Sequence, residues 1–107
     1  IQRLAVQQNG HAIRDIDDPS EEIQKLAVEQ NGFAIQHITH PSEQIKESAV
    51  RQNSFTIKYI KNPSESLRKL AIQQDPVVIF QLHNITNEEK QLAIELDPTV
   101  LNRILFL

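Results

Sequence analysis

The chain has 107 residues, no cysteine, methionine or tryptophan, and a formal net charge of −3 from 11 basic and 14 acidic side chains. This length is that of one domain and excludes a two-domain enzyme with its own cofactor domain, and so small a charge does not favour a polyanion binder that works by bulk electrostatics. The longest apolar runs, 77–80 and 104–107, have four residues each. A bilayer span needs roughly 20, so we expect no contact with membranes.

A repeat of 22 residues runs through the whole chain. Its clearest column is alanine, at Ala5, Ala27, Ala49, Ala71 and Ala93, and columns of Asn or Asp and of Ile or Leu keep the same step. We divide the single domain, 1–107, into a partial unit 1–18 and the units 19–40, 41–62, 63–84 and 85–107. Residue 1 aligns with the interior of a unit, so we expect the sequence to be a piece of a longer array.

Each unit is predicted to contain two short helices. The first begins at a Pro-Ser-Glu segment, where Asp18 or Asn62 is the predicted N-cap and the following proline, such as Pro19, takes the first helical position. It ends near Asn31-Gly32 and the equivalent pairs, which are residues that end one helix or start another.

The first helix of a unit is apolar on two sides. In 19–40, Ile23, Leu26, Ala27 and Gln30 share one helical face, while Val28 points away from it. This pattern is typical of a helix that lies between two neighbours. The fold class expected is therefore all-α, an α-solenoid of about five short helix-turn-helix repeats.

The segment 27–38 reads Ala-Val-x-Gln-Asn-Gly-x-Ala-Ile-x-x-Ile. It resembles a short helical repeat family of unknown function from bacterial, phage and giant-virus proteins, and it is similar to the leucine-rich repeat variant and to HEAT-like helical repeats. The resemblance covers all five units and implies a right-handed solenoid, but no activity. Units 63–84 and 85–107 depart from it, with Asp-Pro in place of Asn-Gly.

The repeated amides allow two interpretations. A column of Gln8, Gln30, Gln52 and Gln74, with asparagines beside it, could form a ladder that binds a peptide backbone. The structural interpretation is favoured: Gln30 is predicted on the buried face and Asn31 at the helix end, where amides bond to orphan carbonyls and link the units.

Metal binding and catalysis are not expected. His37 and His40 are three residues apart, but a closed zinc site needs about four ligands, so no metal and no cofactor are predicted. The carboxylate pairs at 21–22 and 88–89 lie at helix starts, where negative charge complements the helix dipole. Without a cysteine nucleophile or a glycine-rich phosphate loop, we predict that the chain is not an enzyme.

The candidate binding surface is the exposed face of the second helices, where residues vary between units. The predicted binding residues are Phe33, Gln36, His37, Phe55, Lys58, Tyr59, Phe80 and Gln81. Phe33 with His37, and Phe55 with Tyr59, are expected to be i, i+4 neighbours in an exposed aromatic stripe that suits an interface. The alternative is that Phe33 and Phe55 seal the junction between units.

The expected partner is a protein or peptide. Nucleic acid is the alternative, because residues 45–66 carry four basic and two acidic side chains. Apolar residues at both ends, Ile1 and the segment 105–107, predict end-to-end self-association. The absence of cysteine is typical of a reducing compartment, so we expect a cytoplasmic location.

Overall fold

The computed structural model describes residues 1–105, which form ten helices and no strand. The α-helices are α1 (Gln2–Gln8), α2 (Glu21–Gln30), α3 (Glu43–Gln52), α4 (Glu65–Gln74), α5 (Asn87–Leu96) and α6 (Val100–Leu105). The 3₁₀-helices are η1 (Gly10–Asp15), η2 (Gly32–His37), η3 (Ser54–Tyr59) and η4 (Pro76–Gln81). The predicted all-α class is confirmed for this range. Phe106 and Leu107, part of the apolar end expected to self-associate, lie outside the described residues.

The two helix types alternate from α1 to α5, no 3₁₀-helix lies between α5 and α6, and each α-helix packs against the next α-helix in the chain. α2, α3, α4 and α5 begin at residues 21, 43, 65 and 87, and η1 to η4 contact one another in the same order. Each 3₁₀-helix also packs against the α-helix that follows it. The described chain measures 49 × 22 × 19 Å. Most contacts of a helix pair are therefore made with the pair before it and the pair after it.

A hydroxyl side chain caps the start of each of the helices α2 to α5. Ser20, Ser42, Ser64 and Thr86 accept a hydrogen bond from the backbone N–H three residues later, at 3.3, 3.3, 3.1 and 3.1 Å. The prediction that Asp18 and Asn62 are the N-caps is wrong, because α2 and α4 begin two residues later than expected.

A left-handed residue lies two positions before the N-cap in three of these four units. Asp18, Asn62 and Asn84 adopt φ values of 45°, 51° and 55°. Asp and Asn enter this left-handed region more easily than other non-glycine residues. The serine or threonine two residues later caps the helix in all four units, including α3, where the preceding His40 has no positive φ.

The cap serines also connect neighbouring units. Ser42 Oγ donates a hydrogen bond to Glu21 Oε1 at 2.7 Å, and Ser64 Oγ donates to Glu43 Oε1 at 3.1 Å. Each of these two hydroxyl groups thus accepts a hydrogen bond from a backbone N–H of its own helix and donates one to a glutamate of the preceding α-helix. Thr86 differs, since it forms a capping box with Glu89.

Asparagine and aspartate side chains begin the second helix of each unit. The side-chain oxygens of Asn9, Asn31 and Asn53 accept from the N–H two residues later at 3.0 Å, and those of Asp75 and Asp97 do so at 3.3 and 3.1 Å. This geometry supports the structural interpretation of the column, with one correction. The side chains bind N–H groups at the start of the second helix, not carbonyls at the end of the first.

The glutamine column is more exposed than expected. Gln30 is exposed at the last position of α2, so the prediction that it lies on the buried face is wrong. Gln52 and Gln74 are exposed as well, yet each bonds to the backbone of the preceding unit: Gln52 Oε1 accepts from the Gly32 N–H at 2.7 Å, and Gln74 Nε2 donates to the Val50 carbonyl at 2.7 Å. A glutamine can link units from the surface because its side chain is long.

The alanine column allows the close approach of successive helices. Ala27, Ala49, Ala71 and Ala93 are completely buried. A Cβ atom added to Gly10 would lie 2.5 Å from the Ala27 carbonyl oxygen, and one added to Gly32 would lie 2.8 Å from that of Ala49. The two glycines are therefore required for space and not for an unusual φ.

Thr56, in η3, is completely buried, and its Oγ1 is the one buried side-chain polar atom in residues 1–105 without a hydrogen-bond partner. The equivalent positions one and two units later hold Val78 and Val100. We expect Thr56→Val to raise the free energy of unfolding by about 1 kcal/mol, because it removes an unpaired hydroxyl at nearly constant volume. Urea denaturation measures this, with Thr39→Val at an exposed threonine as the control. A destabilised variant would contradict the prediction.

Candidate binding surface

The predicted binding residues lie in η2, η3 and η4 and differ in exposure. Gln36, Lys58, Tyr59 and Gln81 are exposed, whereas Phe33, His37, Phe55 and Phe80 are half-buried. Tyr59 is 44% exposed, and every other Phe or Tyr between residues 1 and 105 is at least half-buried. The surface therefore presents one prominent aromatic ring rather than a continuous stripe.

Phe55 and Phe80 pack against the hydrophobic core. For Phe55, this contact agrees with the alternative that it seals the junction between units. Phe33 instead contacts the exposed ring of Tyr59. The two phenylalanines that the sequence placed in one column thus differ in their surroundings.

Two pairs of rings connect successive 3₁₀-helices. The rings of Phe33 and Tyr59 meet edge to face, with centroids 5.9 Å apart and an interplanar angle of 85°. His11 and His37 meet in the same way, at 5.2 Å and 78°, and His11 Nδ1 lies 3.1 Å from His37 Nε2. Each pair is separated by 26 residues in sequence, one repeat plus four positions.

These pairs replace the contacts that were expected within one helix. In a 3₁₀-helix there are about 3.0 residues per turn, so residues i and i+4 point about 120° apart. Phe33 and His37 in η2, and Phe55 and Tyr59 in η3, are therefore not neighbours on one face. The predicted i, i+4 contacts assumed α-helices, and they are wrong because η2 and η3 are 3₁₀-helices.

Cationic side chains lie over two of the rings. Lys58 Nζ is 5.2 Å from the centroid of the Tyr59 ring, and the guanidinium of Arg103 is 4.0 Å from the centroid of Phe80. Such contacts contribute about 0.5 to 1 kcal/mol at exposed sites. Tyr59 is thus held between the edge contact with Phe33 and the ammonium group of Lys58.

The environment of His37 favours a neutral imidazole. Burial lowers the pKa of His37 most, the nearby His11 and Arg14 lower it further, and Asp15 opposes them. A neutral imidazole offers one donor and one acceptor nitrogen, which suits the short contact with His11. His40, the other half of the pair considered for metal binding, lies exposed in the turn after η2.

A groove of about 1220 Å³ lies beside the ends of η3 and η4. Four of the predicted binding residues line it: Lys58, Tyr59, Phe80 and Gln81. Lys46 of α3 and Lys61 of the turn after η3 line the groove as well. Both belong to the basic segment 45–66 of the alternative nucleic-acid site, but neither was among the predicted binding residues. The signal for Lys61 was available, since Asp17, Thr39, Lys61 and His83 form a variable polar column just after the second helix.

Within residues 1–105, no three His, Cys, Asp or Glu side chains are grouped so that they could hold a metal ion. None of the helices in this range combines the length and the hydropathy that a membrane span requires. Comparisons of the whole chain with protein-family models, with curated proteins and with solved structures gave no match.

Proposed function

We propose that this chain is a non-catalytic α-solenoid that binds a protein or peptide through the exposed face of its second helices. The solenoid interpretation is supported by the 22-residue spacing of the helix starts and by the contacts of each helix with the next one. The elongated outline, 49 Å against 22 and 19 Å, agrees with it. It also agrees with the resemblance to short helical repeats, the leucine-rich repeat variant and HEAT-like repeats.

The single observation that carries the binding proposal is the environment of Tyr59. Its ring is 44% exposed, yet it is fixed by the edge contact with Phe33 and by Lys58. An aromatic side chain that is already held in place loses little conformational entropy when a partner covers it. Tyrosines of this kind are common among the residues that dominate protein interfaces.

The carboxylates support a non-catalytic role. Glu21 and Glu22 lie in the first turn of α2, and Glu88 and Glu89 lie in the first turn of α5. Glu89 is bound to Arg68 and to the backbone N–H of Thr86, so its oxygens are occupied by structural contacts. These positions suit helix stabilisation rather than acid/base chemistry.

Nucleic acid is the less favoured partner. Of the four cations in residues 45–66, Arg51 bonds to Glu47 at 2.8 Å, and Lys46 Nζ lies 3.7 Å from Glu43 Oε2. Only two lysines of this segment then remain for phosphate contacts, which give a small electrostatic contribution at physiological salt.

We expect Tyr59→Ala to weaken partner binding by about 10- to 100-fold, which corresponds to about 1 to 3 kcal/mol. The cost in stability should be near 1 kcal/mol, the value of the lost edge contact with Phe33. Peptides selected from a random display library on the full chain serve as probes, and fluorescence polarisation measures their dissociation constants.

Two further variants control this experiment. Tyr59→Phe keeps the ring and should retain most of the affinity. Leu96→Ala truncates a side chain of similar exposure, 48%, at the end of α5 and should leave affinity unchanged. If no peptide is enriched, if the Tyr59→Ala variant binds selected peptides normally, or if it unfolds, the proposal is wrong.

A further inference from the structure

We propose that the groove beside η3 and η4 binds an acidic peptide segment in an extended conformation. This inference rests on the proposed function and deepens it, since it states the chemistry of the partner. The groove holds about 1220 Å³, which is enough for several residues of a peptide, and it borders the exposed ring of Tyr59.

The charges of the groove have one sign. Its charged lining residues are Lys46, Lys58, Lys61 and Arg68, and no Asp or Glu lines it within residues 1–105. The chain as a whole has 14 acidic residues and a net charge of −3, so this arrangement runs against the overall composition. A cationic groove attracts an acidic ligand by charge complementarity.

Two of these cations are available to a ligand. Arg68 is bound to Glu89 at 2.7 and 2.8 Å, and Lys46 lies near Glu43. Lys58 and Lys61 form no ion pair in the part of the chain that the structure describes. They lie three residues apart on the same unit, at the end of η3 and in the turn that follows it.

The remaining lining of the groove combines apolar and uncharged polar side chains. Ile38, Ile60 and Leu82 occur at 22-residue intervals, each directly after a 3₁₀-helix, and all three line the groove. Tyr59 and Phe80 add aromatic surface. A peptide with apolar side chains between its carboxylates fits this combination better than a polyanion without apolar groups.

The length of the molecule per unit suggests how the carboxylates of the bound peptide are spaced. Five units along 49 Å correspond to about 10 Å per unit, and an extended chain rises about 3.3 Å per residue. One unit therefore matches about three residues of an extended peptide. A segment with an acidic residue at every third position would therefore place a carboxylate beside Lys58 and Lys61 in whichever register it binds.

Single-stranded nucleic acid fits less well, although aromatic rings can stack on bases. Tyr59 is the one exposed Phe or Tyr ring among the described residues that line the groove, so successive bases have no row of such rings to stack on. Two available lysines also supply few phosphate contacts.

The test uses a fluorescein-labelled peptide of about ten residues, with glutamate at every third position and leucine or alanine between. We expect it to bind the full chain, and we expect Lys58→Glu combined with Lys61→Glu to weaken binding at least about tenfold. Lys58→Arg combined with Lys61→Arg should retain affinity. Affinity should also fall as salt concentration rises.

The matched control is Lys25→Glu combined with Lys69→Glu. These exposed lysines lie in α2 and α4, outside the groove, and the variant has the same net charge as the groove variant. Its affinity should change less than about twofold. Equal losses in the two variants would overturn the proposal, because they would show an effect of net charge alone. Thermal melts confirm that both variants are folded.

Three other results would overturn the inference. The first is equal binding of a peptide with lysine in place of glutamate. The second is tighter binding of single-stranded oligothymidine, lost in the Lys58 and Lys61 variant, which would assign the groove to nucleic acid. The third is failure of the acidic peptide to bind while library peptides still bind in a Tyr59-dependent way, which would leave the proposed function intact. Loss of both kinds of binding would remove both proposals.

Discussion

Ala49→Asp should lower the free energy of unfolding by about 3 kcal/mol or more, the largest effect expected of any single substitution considered for this chain. Ala49 is completely buried in α3, and its carbonyl oxygen lies where a Cβ on Gly32 would be only 2.8 Å away. A carboxylate at this position would have neither room nor a cationic partner. Since a domain of this size is stable by roughly 5 to 15 kcal/mol, the variant loses a large part of its stability.

Thermal and urea denaturation, followed by circular dichroism, measure this loss. Gln44→Asp is the control, because it introduces the same carboxylate at an exposed position in the first turn of the same helix. It should change stability by no more than about 0.5 kcal/mol. Cooperative melting of the Ala49→Asp variant near the parent temperature would contradict the close packing described for α3.

The second large effect is expected from Arg68→Ala, at about 2 to 4 kcal/mol. Arg68 lies in α4, and most of its side chain is shielded from solvent. Its side chain is 15% exposed and donates two hydrogen bonds to Glu89, whose side chain is 11% exposed, at 2.7 and 2.8 Å. Removal of the guanidinium leaves a partly buried carboxylate without its main partner.

The pH dependence of this effect has a definite sign. The hydrogen bond from Arg68 holds the pKa of Glu89 below its ordinary value of 4.5, against the opposing effect of burial, and the pKa of Arg68 is raised in turn, chiefly by the same bond. The ionised carboxylate is therefore the form that the folded state stabilises. Its contribution is complete above pH 4.5 and is lost as the pH falls through the lowered pKa.

The stability difference between the parent and Arg68→Ala should therefore be largest near neutral pH and should shrink in acid. Urea denaturation at a series of pH values measures it. Lys69→Ala, at the exposed neighbouring position, should show no such trend. A difference that stayed constant from neutral to acid pH would show that Arg68 stabilises the fold by packing and not through the charge of Glu89.

The helix pairs could be predicted because every unit must repeat the same apolar contacts. The alanine column from Ala27 to Ala93 marks where helices approach closely, and the Asn-Gly pairs mark where the second helix begins. The cap position was misjudged because Asp, Asn, Ser and Thr are all favoured at the N-cap, and each unit has two such candidates or a serine close to the proline. Ser20, and not Asp18, caps α2.

The binding residues could be predicted as a set but not in their contacts. Periodicity over six residues does not distinguish a 3₁₀-helix from an α-helix, so Phe33 was assigned to the wrong neighbour. Lys61 was missed because it lies in a turn, outside the helix that was taken as the surface. The Arg68 and Glu89 pair was missed because its spacing of 21 residues has meaning only when the distance between units is known.

The 26-residue pairing of rings limits how units of this kind can be exchanged or lost. Deletion of one complete repeat, 19–40, would keep every alanine and cap in phase. It would also place His11 against Tyr59, since the partners His37 and Phe33 would both be gone. Each second helix is therefore matched to the one that follows it. An exchange of units would preserve each of these contacts only when the two adjacent units that share it move together.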